Sequence, residues 1–330
     1  MSKIKVAVTG GSGHLGIHIL MKLEERGYDI RAMYHSQIPK INTPNTKWIK
    51  GDITSAESVD ELLLGCDIVI HAAGLVQLQQ SSRELVLETN VLGTQNLIDH
   101  CVILGREIRF IHISSTSVAN PFPRDKKMDE ERAYIKSSNL AYAWSKSLAE
   151  QMVIKSAKEQ NVDAVVLRPS AMIGPPDFRP SIVGGSILQF AKNQIPAITT
   201  GGYNYLDIRD AAESIVNSID MGKKGEIYNL GGEFVTVKRL GQMIAEASNC
   251  NFPKIIFPIN LVIVFRSLIQ FLYERRGIPS PFNKENLFFL KNGPRILDCT
   301  KAEADLNHSS RPISQSVSDL VNWFKQNGQF

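Results

Sequence analysis

A β-branched run, Ile4 to Thr9, is cut off at once by Gly10-Gly11-Ser12-Gly13-His14-Leu15-Gly16, and an amphipathic segment from Ile17 to Arg26 follows, closed by Gly27. Few folds accept that order. An apolar strand bounded by glycines reads as buried on both faces, the mark of a parallel sheet. A glycine-rich turn leading straight into a helix presents free backbone N–H groups and the positive helix end to an anion. The first glycine permits the tight turn, the second lets backbone approach a pyrophosphate, and the third lets helix pack on strand. The stretch therefore predicts an α/β chain with a doubly wound parallel sheet, holding a dinucleotide on Gly10, Ser12, Gly13, His14, Leu15 and Gly16.

Further strands follow at the spacing this architecture needs. Asp29 to Tyr34 is expected to end beside the adenosine ribose, where a carboxylate would select the unphosphorylated cofactor. The chain reads Met33-Tyr34-His35-Ser36 there, with Arg31 before and Lys40 after. His35, Ser36 and Lys40 suit a 2′-phosphate, so NADP is preferred over NAD. After Lys47 to Lys50, Asp52 is placed to accept from the adenine amino group and Ile53 to pack on its ring. Asp67 to His71 runs into Ala72-Ala73-Gly74, small enough for backbone to lie against a cofactor. A helix carrying Asn90 comes next, then Arg109 to Ile113 ending in Ser114-Ser115-Thr116-Ser117. Hydroxyls at the carboxyl end of a parallel strand sit at the crevice where such sheets bind ligands.

Tyr142-Ala143-Trp144-Ser145-Lys146 supplies a phenol and an ammonium on one helix face. Alone, the pair is an ordinary solvated surface. Behind a dinucleotide site it becomes a proton donor–acceptor. Free Tyr has a pKa of about 10, and a fixed cation beside it is expected to bring it down toward neutrality. Composition adds exclusions. A net charge of +4 with both signs scattered leaves no nucleic-acid footprint, and the four cysteines lack metal or redox spacing. No targeting segment precedes the first strand, so a cytoplasmic protein is expected.

Taken together, Thr9 to Gly16, Gly51-Asp52, His71 to Gly74, Asn90-Val91-x-Gly93-Thr94, Ser114-Ser115 and Tyr142-x-x-x-Lys146 resemble the extended short-chain dehydrogenases/reductases. Leu167-Arg168-Pro169, Ile173-Gly174-Pro175, Asp207 to Asp210 and Tyr228 to Gly232 extend the likeness over nearly the whole chain. Within that group the dihydroflavonol reductase and 3β-hydroxysteroid dehydrogenase branch is most similar. The resemblance implies a Rossmann-type domain over 1–168, rejoined by about 203–231, and a substrate-binding lobe from 169–202 and 232–330. It implies that Ser115 holds the substrate oxygen, Tyr142 passes the proton, and Lys146 binds the nicotinamide ribose. Asn90 would support a proton relay or helix geometry. Ser114, Pro169, Ala171 and Ile173 would line the cofactor. Helices over 82–101 and 142–158 would form a homodimer bundle.

The resemblance also bears on the reaction. Dehydratases of the group carry an Asp-Glu pair where Thr116-Ser117 stand, so hydride exchange with a ketone or secondary alcohol is expected. An NAD-dependent nucleotide-sugar epimerase and a non-catalytic cofactor sensor are the alternatives, and the sensor reading predicts loss of the Tyr/Lys pair. In the second half, Gly174 to Pro180 is expected to be a loop, Ile182 to Asn193, Asp207 to Ile219 and Val237 to Ser248 helices, and Glu226 to Leu230 a strand. Ile255 to Tyr273 is the most apolar segment, interrupted by Pro258, Asn260, Arg266 and Gln270 and followed by Glu274-Arg275-Arg276. A pocket or subunit-packing helix is the favoured reading over a membrane-surface helix. Either favours a hydrophobic small-molecule substrate.

Overall fold

A computed structural model describes residues 3–76, 82–103, 108–136, 139–275 and 282–330. Arg276, at the end of the apolar segment, lies outside the described residues. Strands β1 (Lys5–Thr9), β2 (Asp29–Tyr34), β3 (Thr46–Lys50), β4 (Ile68–His71), β5 (Arg109–Ile113) and β6 (Asp163–Pro169) build the main sheet. Five more elements alternate with them: α1 (His14–Glu25), α2 (Ala56–Leu63), α3 (Arg83–Leu87), α4 (Gly93–Ile103) and α5 (Ala141–Glu159). The second half contributes β7 (Ala171–Ile173), α6 (Ile182–Ala191), β8 (Ala197–Thr199), β9 (Gly202–Asp207), α7 (Ile208–Met221), β10 (Ile227–Leu230), β11 (Glu233–Thr236) and α8 (Val237–Ser248). Then come β12 (Ile255–Phe257), α9 (Ile259–Val264), α10 (Arg266–Arg275), α11 (Lys284–Asn292), α12 (Thr300–Leu306) and α13 (Ile313–Gln326).

The main sheet is seven-stranded, ordered β10-β6-β5-β4-β1-β2-β3, and every pairing in it is parallel. Alternation along each strand feeds two cores. Val6 and Val8 join Leu20, Ile215 and Leu306 under α1, α7 and α12. Ala7 and Phe110 join Leu62, Leu97 and Val153 under α2, α4 and α5. The order reverses between β1 and β4, so their carboxyl ends open a crevice, the expected dinucleotide position. Of residues 203–231, α7 and β10 return to this assembly, whereas β9 belongs to a small sheet ordered β11-β9-β7. A third core, including Ile173, Phe190, Val235 and Phe324, sits among α6, α8, α13 and that small sheet.

Local chemistry explains most boundaries. Asp207 accepts from Arg209 N, Thr236 from Arg239 N and Ser181 from Gly184 N, capping α7, α8 and α6. The expected helix over 255–273 is instead broken into β12, α9 and α10. Pro258 has no N–H to continue a helix, and Ile255 to Phe257 pair with Ala197 to Thr199 of β8. The segment's inner face, with Ile259, Val262 and Ile269, packs on Leu287, while in the single chain its outer face is open: Val264 is 76% exposed, and Leu261, Phe265, Leu268, Phe271 and Leu272 are exposed too. Among the described residues no helix is long and apolar enough to cross a membrane.

The best-satisfied buried charge ties α5 to the sheet. Glu150 and Arg168 are 0% and 1% exposed at the side chain, and Arg168 Nη2 donates to Glu150 Oε1 at 2.5 Å. Ser114 Oγ (2.5 Å) and Tyr134 Oη (2.8 Å) donate to the same carboxylate, and Arg168 also donates to Glu130 O. Breaking a buried pair from one side strands the other charge. Glu150→Ala is expected to destabilise the fold by about 3–5 kcal/mol in urea denaturation. A loss below about 1 kcal/mol, the scale of an exposed pair, would show that Arg168 finds water instead.

Candidate active site

The glycine loop has the shape the sequence requires. Gly10 has φ +68, a conformation that favours glycine, and a Cβ there would lie 2.6 Å from Ala73 N. A Cβ on Gly16 would lie 2.1 Å from Gly10 O, so α1 can approach the loop only through a hydrogen. Gly13 caps α1 without a side-chain bond, which leaves the first N–H groups of that helix for an anion. Ser12 and Leu15 are half-buried beside it. The cradle fits a dinucleotide pyrophosphate. His14 is drawn elsewhere: its Nε2 donates to Gly174 O at 3.0 Å, and His18 Nε2 donates to Pro176 O at 3.2 Å. Burial holds His18 near about 3, neutral at physiological pH. These two imidazoles hold the 174–180 loop down on α1. From that loop, unanticipated in the sequence, Arg179 reaches the end of β2 and donates to Gln37 Oε1 at 2.6 Å.

At the adenosine end the expected residues divide. His35 is 80% exposed at its side chain, 3.7 Å from Asp52 Oδ2, and Ser36 and Lys40 are exposed beside it. Arg31 is excluded, because it is buried and donates to Leu62 O and Glu61 O. Asp52 spends Oδ1 on Thr54 N and Oγ1, bonds that hold its carboxyl below the usual range. Its second oxygen remains turned to His35. Ile53 is buried in the core under α2 and α4, tight against Gly93, rather than spread as a platform.

Tyr142 and Lys146 occupy the first two turns of α5. Lys146, 5% exposed, donates from Nζ to Ile113 O at 2.8 Å. A Cβ on Gly74 would lie 3.0 Å from the same ammonium, close enough that the Lys146 side chain would have to give by a few tenths of an ångström. Ser115 lies within hydrogen-bonding reach of the Tyr142 phenol and caps a 3₁₀ turn over Thr116–Val118. Its Oγ also accepts from Ser117 N and Oγ. Ser115, Tyr142 and Lys146 thus converge as expected, beside the ends of β4 and β5. The electrostatics differ from the sequence expectation. Burial pushes the phenol up to about 12, Ser115 pulls it back, and Glu285 raises it further. Burial also lowers Lys146 to about 8, with Glu150 opposing. The Lys146 ammonium is not among the groups that set the phenol; desolvation of the phenolate is the largest cause.

Other expectations need correction. Ser114 turns into the Glu150–Arg168 cluster, away from the crevice. Ile173 is buried in the third core, while Pro169 is buried opposite Leu230. Ala171 lines a mostly apolar cavity of about 310 Å³, with Ile187, Phe190, Tyr203, Tyr205 and Leu287. Asn90 sits in a π-helical turn over Glu88–Leu92, 2% exposed. Its Oδ1 accepts from Leu75 N (2.7 Å), and its Nδ2 donates to Leu75 O (3.0 Å) and Ser145 Oγ (2.9 Å). The amide therefore clamps the segment after β4 that carries Ala72, Ala73 and Gly74 to the helix that carries Tyr142. Of its two expected roles, this geometry is that of a helix and loop clamp. Sequence reasoning missed Glu285, a buried carboxylate from α11 that accepts from Tyr142 N and Ala143 N. Its separation of more than a hundred residues left no local signal.

A parallel sheet, an anion-binding glycine cradle and a cluster of half-buried Ser115 and Tyr142 with buried Lys146 at the sheet's carboxyl edge define a nicotinamide-dependent class. A family model described as "NAD dependent epimerase/dehydratase family" matches residues 6–231, and the chain belongs to that family. It is an NAD(P)-dependent oxidoreductase acting between carbonyl and alcohol groups. A Synechocystis protein named provisionally as a dihydroflavonol 4-reductase is 29% identical over 328 residues, covering 97% of this chain and 94% of that one. Sterol demethylase protein B of Methylococcus capsulatus is 28% identical over 326 residues, covering 97% and 98%. A solved structure described as "Crystal structure of gox2253" superposes with TM-score 0.85 at 28% identity, covering 100% of both chains.

Proposed function

We propose that this enzyme is an NADP-preferring reductase of an apolar ketone, with Tyr142 as the proton donor. The observation that carries the reading is the protonated, half-buried phenol facing Ser115 at the end of β5, where a carbonyl oxygen can accept from both hydroxyls. When bound, the nicotinamide supplies the hydride. Ser115 orients the carbonyl oxygen, Tyr142 gives it a proton, and Lys146 holds the ribose. Residues 1–168 with the α7–β10 return form the cofactor side, and the remaining lobe forms the substrate side. The apolar cavity beside Ala171 favours a hydrophobic substrate. Likenesses to a dihydroflavonol 4-reductase and a sterol demethylase protein point the same way. Arg179, bonded to Gln37, and the exposed His35, Ser36 and Lys40 supply donors and positive charge after β2 with which a 2′-phosphate could be held, which supports NADP.

The sign of the two shifts sets the pH behaviour. Tyr142, raised to about 12, stays an acid through neutrality, and Lys146, lowered to about 8, keeps its charge only below that pH. Ketone reduction is expected to be flat from weakly acid to neutral pH and to fall as pH rises through about 8. Alcohol oxidation, which needs the phenolate, is expected to climb with alkalinity. Tyr142→Phe is expected to lower turnover by at least about 100-fold, within the range a positioned proton donor contributes, with cofactor affinity in titration calorimetry unchanged. Turnover within a factor of about 2 of wild type would remove Tyr142 from its role.

Cofactor exchange separates reductase from epimerase. The purified enzyme is expected to exchange NADP freely, to bind NAD more weakly, and to reduce bulky apolar ketones better than nucleotide sugars. Tightly retained NAD, with turnover of nucleotide sugars alone, would establish the epimerase.

The exposed apolar face of α9 and α10 carries Arg266 and Arg275 and no acidic residue before Glu274. We assign it to lipid-surface contact next to the cavity, which Tyr273 and Phe282 help to line. Cosedimentation with vesicles containing anionic lipid should retain the protein, and Phe265→Ser with Leu268→Ser should release it. Pairing of α4 and α5 with a second copy, and residence in the cytoplasm with all four cysteines reduced, complete the proposal.

A further inference from the structure

Helix α5 begins without a cap of its own. Leu140 stands at its N-cap with no side-chain bond, and its first turn has no acidic residue. Exposed helices tolerate this, because water satisfies the first N–H groups. Here Leu140, Ala141 and Ala143 are buried, so water is displaced. Glu285, 9% exposed, fills the gap from α11: Oε1 accepts from Ala143 N at 2.8 Å and Oε2 from Tyr142 N at 3.2 Å. Phe288 and Phe289 of the same helix pack on Ile135, Leu140 and Ala143, fixing the carboxylate over the turn. The opposite side of α11 presents Asn286, Leu287 and Leu290 to the apolar cavity. Asn286 O also accepts from Tyr203 Oη at 2.6 Å. One short helix therefore touches both the cavity and the backbone of Tyr142.

We propose that Glu285 is a positioning residue for Tyr142, a cap supplied by the substrate lobe that seats the phenol and links that seat to the wall of the apolar cavity. The inference rests on Tyr142 being the proton donor. A charged cap suits the site, since a carboxylate is the strongest acceptor for helix N–H groups and completes the helix dipole. Burial raises the Glu285 carboxyl, and the two N–H bonds oppose that rise. The titratable groups that face it are Tyr142 of α5 and Tyr203 of β9, both of which its charge raises. Among the described residues it has no salt-bridge partner.

Three variants test the proposal. Glu285→Gln keeps an acceptor and removes the charge. Glu285→Ala removes both bonds, and Glu285→Asp keeps the charge on a shorter stem. Glu285→Gln is expected to lower kcat roughly 10-fold and Glu285→Ala roughly 100-fold, the scale of a small misplacement of a reacting group, with NADP affinity unchanged. In Glu285→Gln, the alkaline rise of alcohol oxidation should move to lower pH, because the negative charge beside the phenol is gone. The kcat advantage of a cavity-filling ketone over a short one should shrink toward unity in Glu285→Ala. If that variant does not fold, the Glu285→Gln pH profile decides alone. An unmoved profile with normal kcat in Glu285→Gln would overturn the proposal. Inactive Tyr142→Phe alongside that result would leave the reductase reading intact, whereas active Tyr142→Phe would remove the reductase reading itself.

Discussion

The buried carboxylate of Glu150 is the interaction on which the active-site geometry depends. It accepts from Arg168 on β6, Ser114 after β5 and Tyr134 on the following loop, so one side chain fastens α5 to three pieces of chain. Glu150 lies four residues after Lys146 and therefore on the same helix face. Fixing one fixes the height of the other above Ile113 O. A wholly apolar contact would be equally tolerated by the core, and buried pairs often add little net stability. What the pair adds is register. An α5 displaced by one residue would leave both Glu150 and Arg168 without partners, at a cost that no apolar slippage carries.

Burial, rather than charge, sets the acid–base character of the site. Reasoning from a phenol and an ammonium four residues apart leads to a lowered phenol. The fold encloses both, and enclosure penalises whichever form is charged: the phenolate and the ammonium alike. Their affinities for protons consequently move apart, the phenol up to about 12 and the ammonium down to about 8. A protonated donor beside a cation at neutral pH suits delivery of a proton to an oxygen acquiring negative charge. Ser115 supplies the hydrogen bond that moderates the phenol, from a strand end already constrained by the 3₁₀ turn.

Legibility from sequence followed interaction range. The glycine loop, the parallel strands and the Tyr/Lys pair are local patterns, governed by turn geometry and helical period, and they appear where expected. The helix limits hold to within a few residues because caps such as Thr236 and Ser181 are local as well. Failures cluster where a side chain has two neighbouring destinations. Ser114 and Ser115 alternate across the strand end, one into the Glu150 cluster and one toward Tyr142, and a run of hydroxyls does not reveal which. The segment 255–273 has helical hydropathy throughout, yet pairing with β8 at its start and Pro258 break it. Glu285 and Arg179 act across the fold, which composition and spacing do not encode.

The two carboxylates that hold α5, its own Glu150 and Glu285 of α11, divide the labour between the lobes. Glu150 anchors the middle of the helix to the parallel sheet, whose strand ends are shaped by cofactor binding. Glu285 secures its first turn from the lobe that forms the apolar cavity. Tyr142, the proposed proton donor, lies between these anchors, on the turn held from both sides. Drift of the substrate lobe from the sheet would strain the Glu285 bonds before it disturbed Glu150, because the former are two contacts at a helix end and the latter a buried network. The lobe can therefore diverge in its cavity lining, provided α11 keeps its place over Tyr142.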